Sequence, residues 1–233
     1  MRSLPGGVGI QEDVNLRRQV AKLLTEGRLD EIDALSETSP NVVSAVVSRL
    51  YEADTLARFR AADALGRVSA RLMGKDRAAV DQLLRKLAWS LNEESGATAW
   101  GAPHAIGEVA RCDATWASQY HPLLLSYLDN DEVYLGTDIL VHGVVWGLGR
   151  VGERYLEIGA GSVGALVQRL GDEDGMTRGL AAEALGRVGD AGAKEPLLRL
   201  VEDGTEVERY VDGQMVRATV GVIARAALER LRG

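Results

Sequence analysis

The amino-acid sequence predicts an all-α fold, a right-handed α–α superhelix of about five helical pairs. Three observations carry this. "RFRAADALGRV" at residues 58–68 and "RGLAAEALGRV" at 178–188 share Arg, Ala-Ala, an acid and Ala-Leu-Gly-Arg-Val in one register. "WGAPHAIGEV" and "HGVVWGLGRV" fit the same template, so glycines recur at 66, 107, 149 and 186, at separations of 41, 42 and 37. A degenerate fifth copy, "RATVGVIARAAL", sets Arg225 39 residues beyond Gly186. A period near 40 residues marks a solenoid of helical pairs. Within each copy, Ala61, Ala62, Leu65 and Val68, or Ala181, Ala182, Leu185 and Val188, stand at the three-, four- and seven-residue spacings of one buried helix face.

Taken from the N-terminus, "QEDVNLRRQVAKLL" and "LDEIDALS" read as two short helices, and residues 1–40 are expected to cap the stack. Residues 41–233 form the repeats as one solenoid domain, beginning with "NVVSAVVSRLYEAD" as partner helix to the first copy. The second helices are richer in leucine: "AAVDQLLRKLAWSL", "YHPLLLSYL", "VGALVQRL" and "KEPLLRLV". Each runs into an acidic turn, at Glu93-Glu94, Asp129 to Glu132, Asp172 to Asp174 and Glu202-Asp203. These acids are expected to cap the next first helix, whose terminal amides lack partners. His121 precedes Pro122 and is expected in a turn at a helix start. "VRATVGVIARAALERLRG" closes the stack as helix, and no sheet is expected.

The net charge of −7, from 27 basic and 34 acidic residues, argues against a nucleic-acid partner, which needs a basic face. No run of about 20 apolar residues is present, and the first residues lack a secretory apolar segment, so no membrane span and a cytoplasmic location are expected. The single Cys112 has no disulfide partner and no zinc-ligand spacing. The acidic turns lack the spacing of a calcium loop.

The template "RxxAAxALGRV", with its leucine-bearing second helix and acidic turn, resembles the HEAT repeat, and more narrowly the HEAT-like repeat of the phycobilisome lyase class. "TAWGAPHAIGE" is also similar to an uncharacterised HEAT-repeat family of sulfate-reducing bacteria. The resemblance covers about residues 41–233 and implies the superhelix; it also implies that second helices line the concave side. Hydroxylase members of the class bind iron through His-Glu dipeptides, whereas this chain has His104-Ala105, His121-Pro122 and His142-Gly143. No metal and no cofactor are therefore expected.

The repeats break their rule in the two central copies. Counted from the template glycine, positions −7, −3 and +1 share one helix stripe. They hold Phe59, Asp63 and Arg67 in the first copy, and Gly179, Glu183 and Arg187 in the fourth. The central copies hold Trp100, His104 and Glu108, then His142, Trp146 and Arg150. Extra glycines at 96, 101, 143 and 147 accompany them, as the close approach of a helix or ligand would require. On helices about 8–10 Å apart these six residues can face one another. They are the candidate partner-binding site, an accessible Trp/His patch able also to mediate self-association. The function expected is a non-catalytic protein–protein interaction scaffold. The alternative is a lyase- or chaperone-like protein handling a tetrapyrrole-type organic cofactor, which calls for a deep aromatic cavity.

Overall fold

The computed structural model describes residues 7–92, 99–129 and 137–231. The chain forms α1 (Gly7–Glu26), α2 (Leu29–Leu35), α3 (Val42–Val47), α4 (Thr55–Leu72), α5 (Arg77–Ser90), α6 (Ala102–Ala110), α7 (Ala114–Asp129), α8 (Asp138–Arg154), α9 (Leu156–Gly159), α10 (Val163–Arg169), α11 (Gly175–Val188) and α12 (Lys194–Leu198). A hairpin of β1 (Glu206–Val211) and β2 (Gln214–Thr219) follows, then α13 (Val220–Arg230). The architecture is the helical superhelix that the repeat period predicts. The helices exceed ten because the third second-helix segment is split into α9 and α10 and the N-terminal segment is divided into short pieces.

The first helices form one continuous row, α4 on α6, α6 on α8, α8 on α11 and α11 on α13. The template glycines explain the closeness of that row. A β-carbon on Gly186 would lie 2.7 Å from the α-carbon of Ala227 on α13, and one on Gly149 2.8 Å from the β-carbon of Ala184 on α11. At Gly107 it would strike the backbone of Gly147. Side chains cannot interdigitate here, so the backbones themselves touch. Of the extra glycines, 143 and 147 are spent on helix approach, against His104 and Pro103. Gly96 lies outside the described residues.

Local chemistry fixes the helix starts. Asp54 caps α4 through the Ala57 amide at 2.9 Å, and Asp174 caps α11 through the amides of Met176 and Thr177. The acid at 203 departs from expectation, because the hairpin separates it from α13, which Thr219 caps instead. Asp203 binds Arg178 and the Thr205 amide. The turn acids Glu93, Glu94, Asp131 and Glu132 lie outside the described residues.

Three further expectations are corrected. Residues 214–219 form β2, so the closing helix starts only at Val220. Asp212 and Gly213 both take positive φ, 47° and 82°, as a two-residue hairpin turn demands, and the strands pair antiparallel from Glu206 opposite Thr219 to Val211 opposite Gln214. His121 is in no turn: α7 runs from Ala114 through Pro122, and His121 is buried within it. Burial holds the His121 imidazole neutral, its pKa lowered to about 4. Trp100 lies in the turn before α6, whose first turn holds Pro103, a position that proline favours, so Trp100 and His104 do not share a helix face.

Candidate functional site: an arginine-lined hollow under the hairpin

The −3 and +1 positions of successive first helices lie side by side, and the hairpin crosses them. In the outer copies the sequence-predicted pairs form: Arg67 Nε donates to Asp63 at 2.9 Å, and Arg187 Nη2 to Glu183 at 2.7 Å. In the central copies Glu108, only 3% exposed, instead accepts from Arg111 at 2.9 Å and from Arg150 of the next helix. Glu108 and Arg150 thus do face each other.

His104 and Trp146 also meet, but inside the protein. Their ring centroids are 5.5 Å apart, and Phe59 stands edge-on to both, at 4.5 and 5.2 Å. Tyr210 of β1 stacks on Phe59 at 5.1 Å and closes this aromatic block. His104 is 2% and Trp146 5% exposed, so the accessible patch expected at these two residues is not formed. Over Trp146 the hairpin lays the Tyr210 ring, whereas His104 is enclosed by the neighbouring first helices, between Phe59, Trp146 and the close approach of Gly143. Burial, and after it the positive charge of Arg58, lowers the His104 pKa to about 3. The outer pair is half-buried and separately engaged: Trp100 lies 5.9 Å from the Arg58 guanidinium, and His142 Nε2 is 2.6 Å from Asp174 Oδ2.

Polar ties hold the hairpin down. Tyr210 Oη donates to Asp63 at 3.0 Å, and burial, with the Asp63 charge, raises its pKa so that it remains a phenol. Arg60 Nε donates to the Gly213 carbonyl at 2.8 Å, while its Nη1 donates to the carbonyls of Leu24 and Thr25 at the end of α1. Arg209 pairs with Glu183 at 3.4 Å. Sequence reasoning passed over Arg60, Arg209 and Tyr210. The available signal was the Asp212-Gly213 turn between two alternating segments.

Between hairpin and helices lies a hollow of about 670 Å³. Arg67 of α4, Arg111 just after α6, Arg150 and Arg154 of α8, Arg187 of α11 and Arg230 of α13 line it, with Arg209 from β1. Four carboxylates share the wall, from Asp63, Glu108, Glu153 and Asp212. Trp146 and Tyr210 are the ring-bearing residues of that wall, which differs from the aromatic cavity that a tetrapyrrole handler calls for. The hollow is built from first helices and the hairpin, on the helices that carry the six candidate residues, and not from the second helices that the resemblance places on the concave side. On the second helices Trp116, Tyr120 and Tyr127 are buried, whereas Trp89 is 68% exposed. Among the described residues no group of three or more His, Cys, Asp or Glu could hold a metal ion, and no helix is long and apolar enough to cross a membrane.

The family model for HEAT repeats matches residues 139–211, from α8 into the hairpin. An uncharacterized protein of Archaeoglobus fulgidus is 32% identical over 186 residues, which cover 78% of this chain and 92% of that protein. The chain belongs to one family with it, and is a HEAT-like repeat protein. Among solved structures it is similar to a designed armadillo repeat protein in complex with the peptide (KR)4, at a TM-score of 0.58 and 19% identity, covering 97% of this chain and 95% of that one. An engineered protein gives a TM-score of 0.58 at 19% identity, covering 98% and 93%. At such identity the likeness is one of fold.

Proposed function

We infer that this chain is a non-catalytic protein-interaction scaffold that grips a segment of a partner protein in the hollow between its first helices and its hairpin. The observation that carries the reading is the hollow itself: seven guanidinium groups converge on one concave space, in a protein with a net charge of −7. Concave sites with a few convergent polar groups are where repeat scaffolds and their ligands meet. The armadillo neighbour, of like fold, is a complex with a peptide. Of the six residues the repeat pattern singles out, Glu108, Trp146 and Arg150 wall the hollow, and His104 packs beside Trp146. Residues 1–40 act as the N-terminal cap in this reading, with α1 packed on α3 and α2 on α4.

The test is site-specific crosslinking in a lysate of the source organism. A photoreactive residue at Ala70, exposed in the wall of the hollow, is expected to trap a discrete protein partner. The same group at Trp89, exposed on α5 and outside the hollow, is expected to trap none. Equal trapping at the two positions, or none at Ala70, contradicts the reading.

A further inference from the structure

We propose that the segment gripped in the hollow is acidic and extended, and that it adds as a third strand along the free edge of β1 with its carboxylates on the arginine row. The inference rests on the scaffold reading above and supplies the partner's chemistry. Three observations carry it.

The first is the free edge. Among the described residues β1 pairs only with β2, which leaves the backbone groups of its other edge without strand partners there. Arg209, Tyr210, Val211 and Asp212 wall the hollow, and no residue of β2 does so. The edge turned toward the hollow is therefore that of β1. Exposed strand edges take up extended peptides through main-chain hydrogen bonds.

The second is direction. β1 runs across the first helices rather than along them. Val207 lies over Gly179 of α11, and Tyr210 stacks on Phe59 of α4. A peptide beside β1 would cross the same row, and the row offers it a guanidinium from each helix in turn. Val207 and Tyr210 are three residues apart, about 10 Å of strand, yet stand over helices three places apart in the row, so the curved row brings its guanidinium groups together where one short segment beside β1 reaches several of them.

The third is unused capacity. Arg154 and Arg230 are exposed, and among the described residues neither has an ion pair or a side-chain hydrogen bond. Carboxylates are the planar acceptors that match such donors. The net charge of −7 disfavours a nucleic-acid backbone, which needs an extended basic face.

The experiment uses the full chain and a fluorescein-labelled peptide of alternating glutamate and threonine, (ET)4, followed by fluorescence anisotropy. Saturable binding is expected, weakening as salt is raised, with no binding of (KT)4. Arg154→Glu with Arg230→Glu is expected to weaken (ET)4 at least about tenfold. That double variant should keep the wild-type thermal midpoint, because both side chains are exposed. Methylating alternate peptide amides should also weaken binding, since edge pairing needs those donors. Binding of (ET)4 that is indifferent to the double variant overturns the proposal, as does tighter binding of an oligothymidylate of equal charge. A random peptide display separates this inference from the reading beneath it. Enrichment of acidic peptides supports both. Enrichment of basic or apolar peptides that Ala70→Trp abolishes overturns the acidic inference and leaves the scaffold standing. No enrichment overturns both.

Discussion

Trp146→Ala distinguishes a buried structural ring from a surface anchor. Trp146 is 5% exposed. Its ring touches Phe59 at 5.2 Å, His104 at 5.5 Å and Tyr210 at 6.4 Å, and the Arg150 guanidinium lies 5.5 Å from its centroid. Removing a ring so enclosed costs about 3–5 kcal/mol, from lost burial and the cavity left behind. For a chain of this size each kcal/mol lowers Tm by about 2–4 °C, so a fall of about 6–20 °C is expected. Trp146→Phe should cost far less, because it preserves the ring block and removes an indole N–H that has no hydrogen-bond partner. Trp100→Ala is the internal comparison. That half-buried ring has Arg58 at 5.9 Å as its charged neighbour, and a loss of about 1 kcal/mol is expected. Differential scanning calorimetry reads all three. A Trp146→Ala midpoint within 2–3 °C of wild type, about 1 kcal/mol, would refute the burial argument.

Further outcomes follow from the same packing. His104 and His121 have pKa values lowered to about 3 and 4, below the unfolded value near 6.5, so the unfolded state takes up protons first as pH falls. Their stabilisation is complete above about pH 6.5 and is lost on acidification, at up to about 1.4 kcal/mol per pH unit for each. His104→Leu should flatten the fall in stability between about pH 6 and 5, as urea unfolding would show; an unchanged slope would sink the assignment. Gly107→Ala should destabilise by at least about 1–3 kcal/mol, because its β-carbon would strike the backbone of Gly147. Gly164→Ala on α10, with nothing near its β-carbon, should stabilise by about 0.4–1 kcal/mol in the same melts. Burial foremost, with the charge of Glu108, raises the Cys112 thiol pKa to about 11, so disulfide reagents should label the folded protein slowly at pH 8 and the unfolded protein fast. Cys112→Ser should fold normally and retain the two acceptors that the thiol now uses, the carbonyls of Gly66 and Glu108.

The repeat was legible because one physical demand, close helix approach, leaves one mark, a glycine about every 40 residues. The ion pairs Asp63–Arg67 and Glu183–Arg187 were legible for the same reason, since a four-residue spacing on a helix determines who meets whom. The hairpin was not, although its alternating strands and Asp212-Gly213 turn stood in the sequence. The fifth repeat copy drew residues 216–219 into a helix. The site failed with it. Whether Trp146 is a surface ring or a core ring depends on Tyr210, and whether Asp63 is merely a solvated acid depends on a phenol 147 residues away. No local periodicity reports contacts at that separation. Arg154 and Arg230 read as ordinary exposed charges until the helix row and the hairpin set them around one space.

The central claim is that the partner's segment lies in the hollow against β1. Amide hydrogen exchange of the full chain, with and without saturating (ET)4, measures it directly. Protection is expected to rise at the free-edge amides of Glu206, Glu208 and Tyr210 and to stay unchanged across α5 and α7, which lie outside the hollow. Protection that rises on those second helices while β1 exchanges as before would contradict the account.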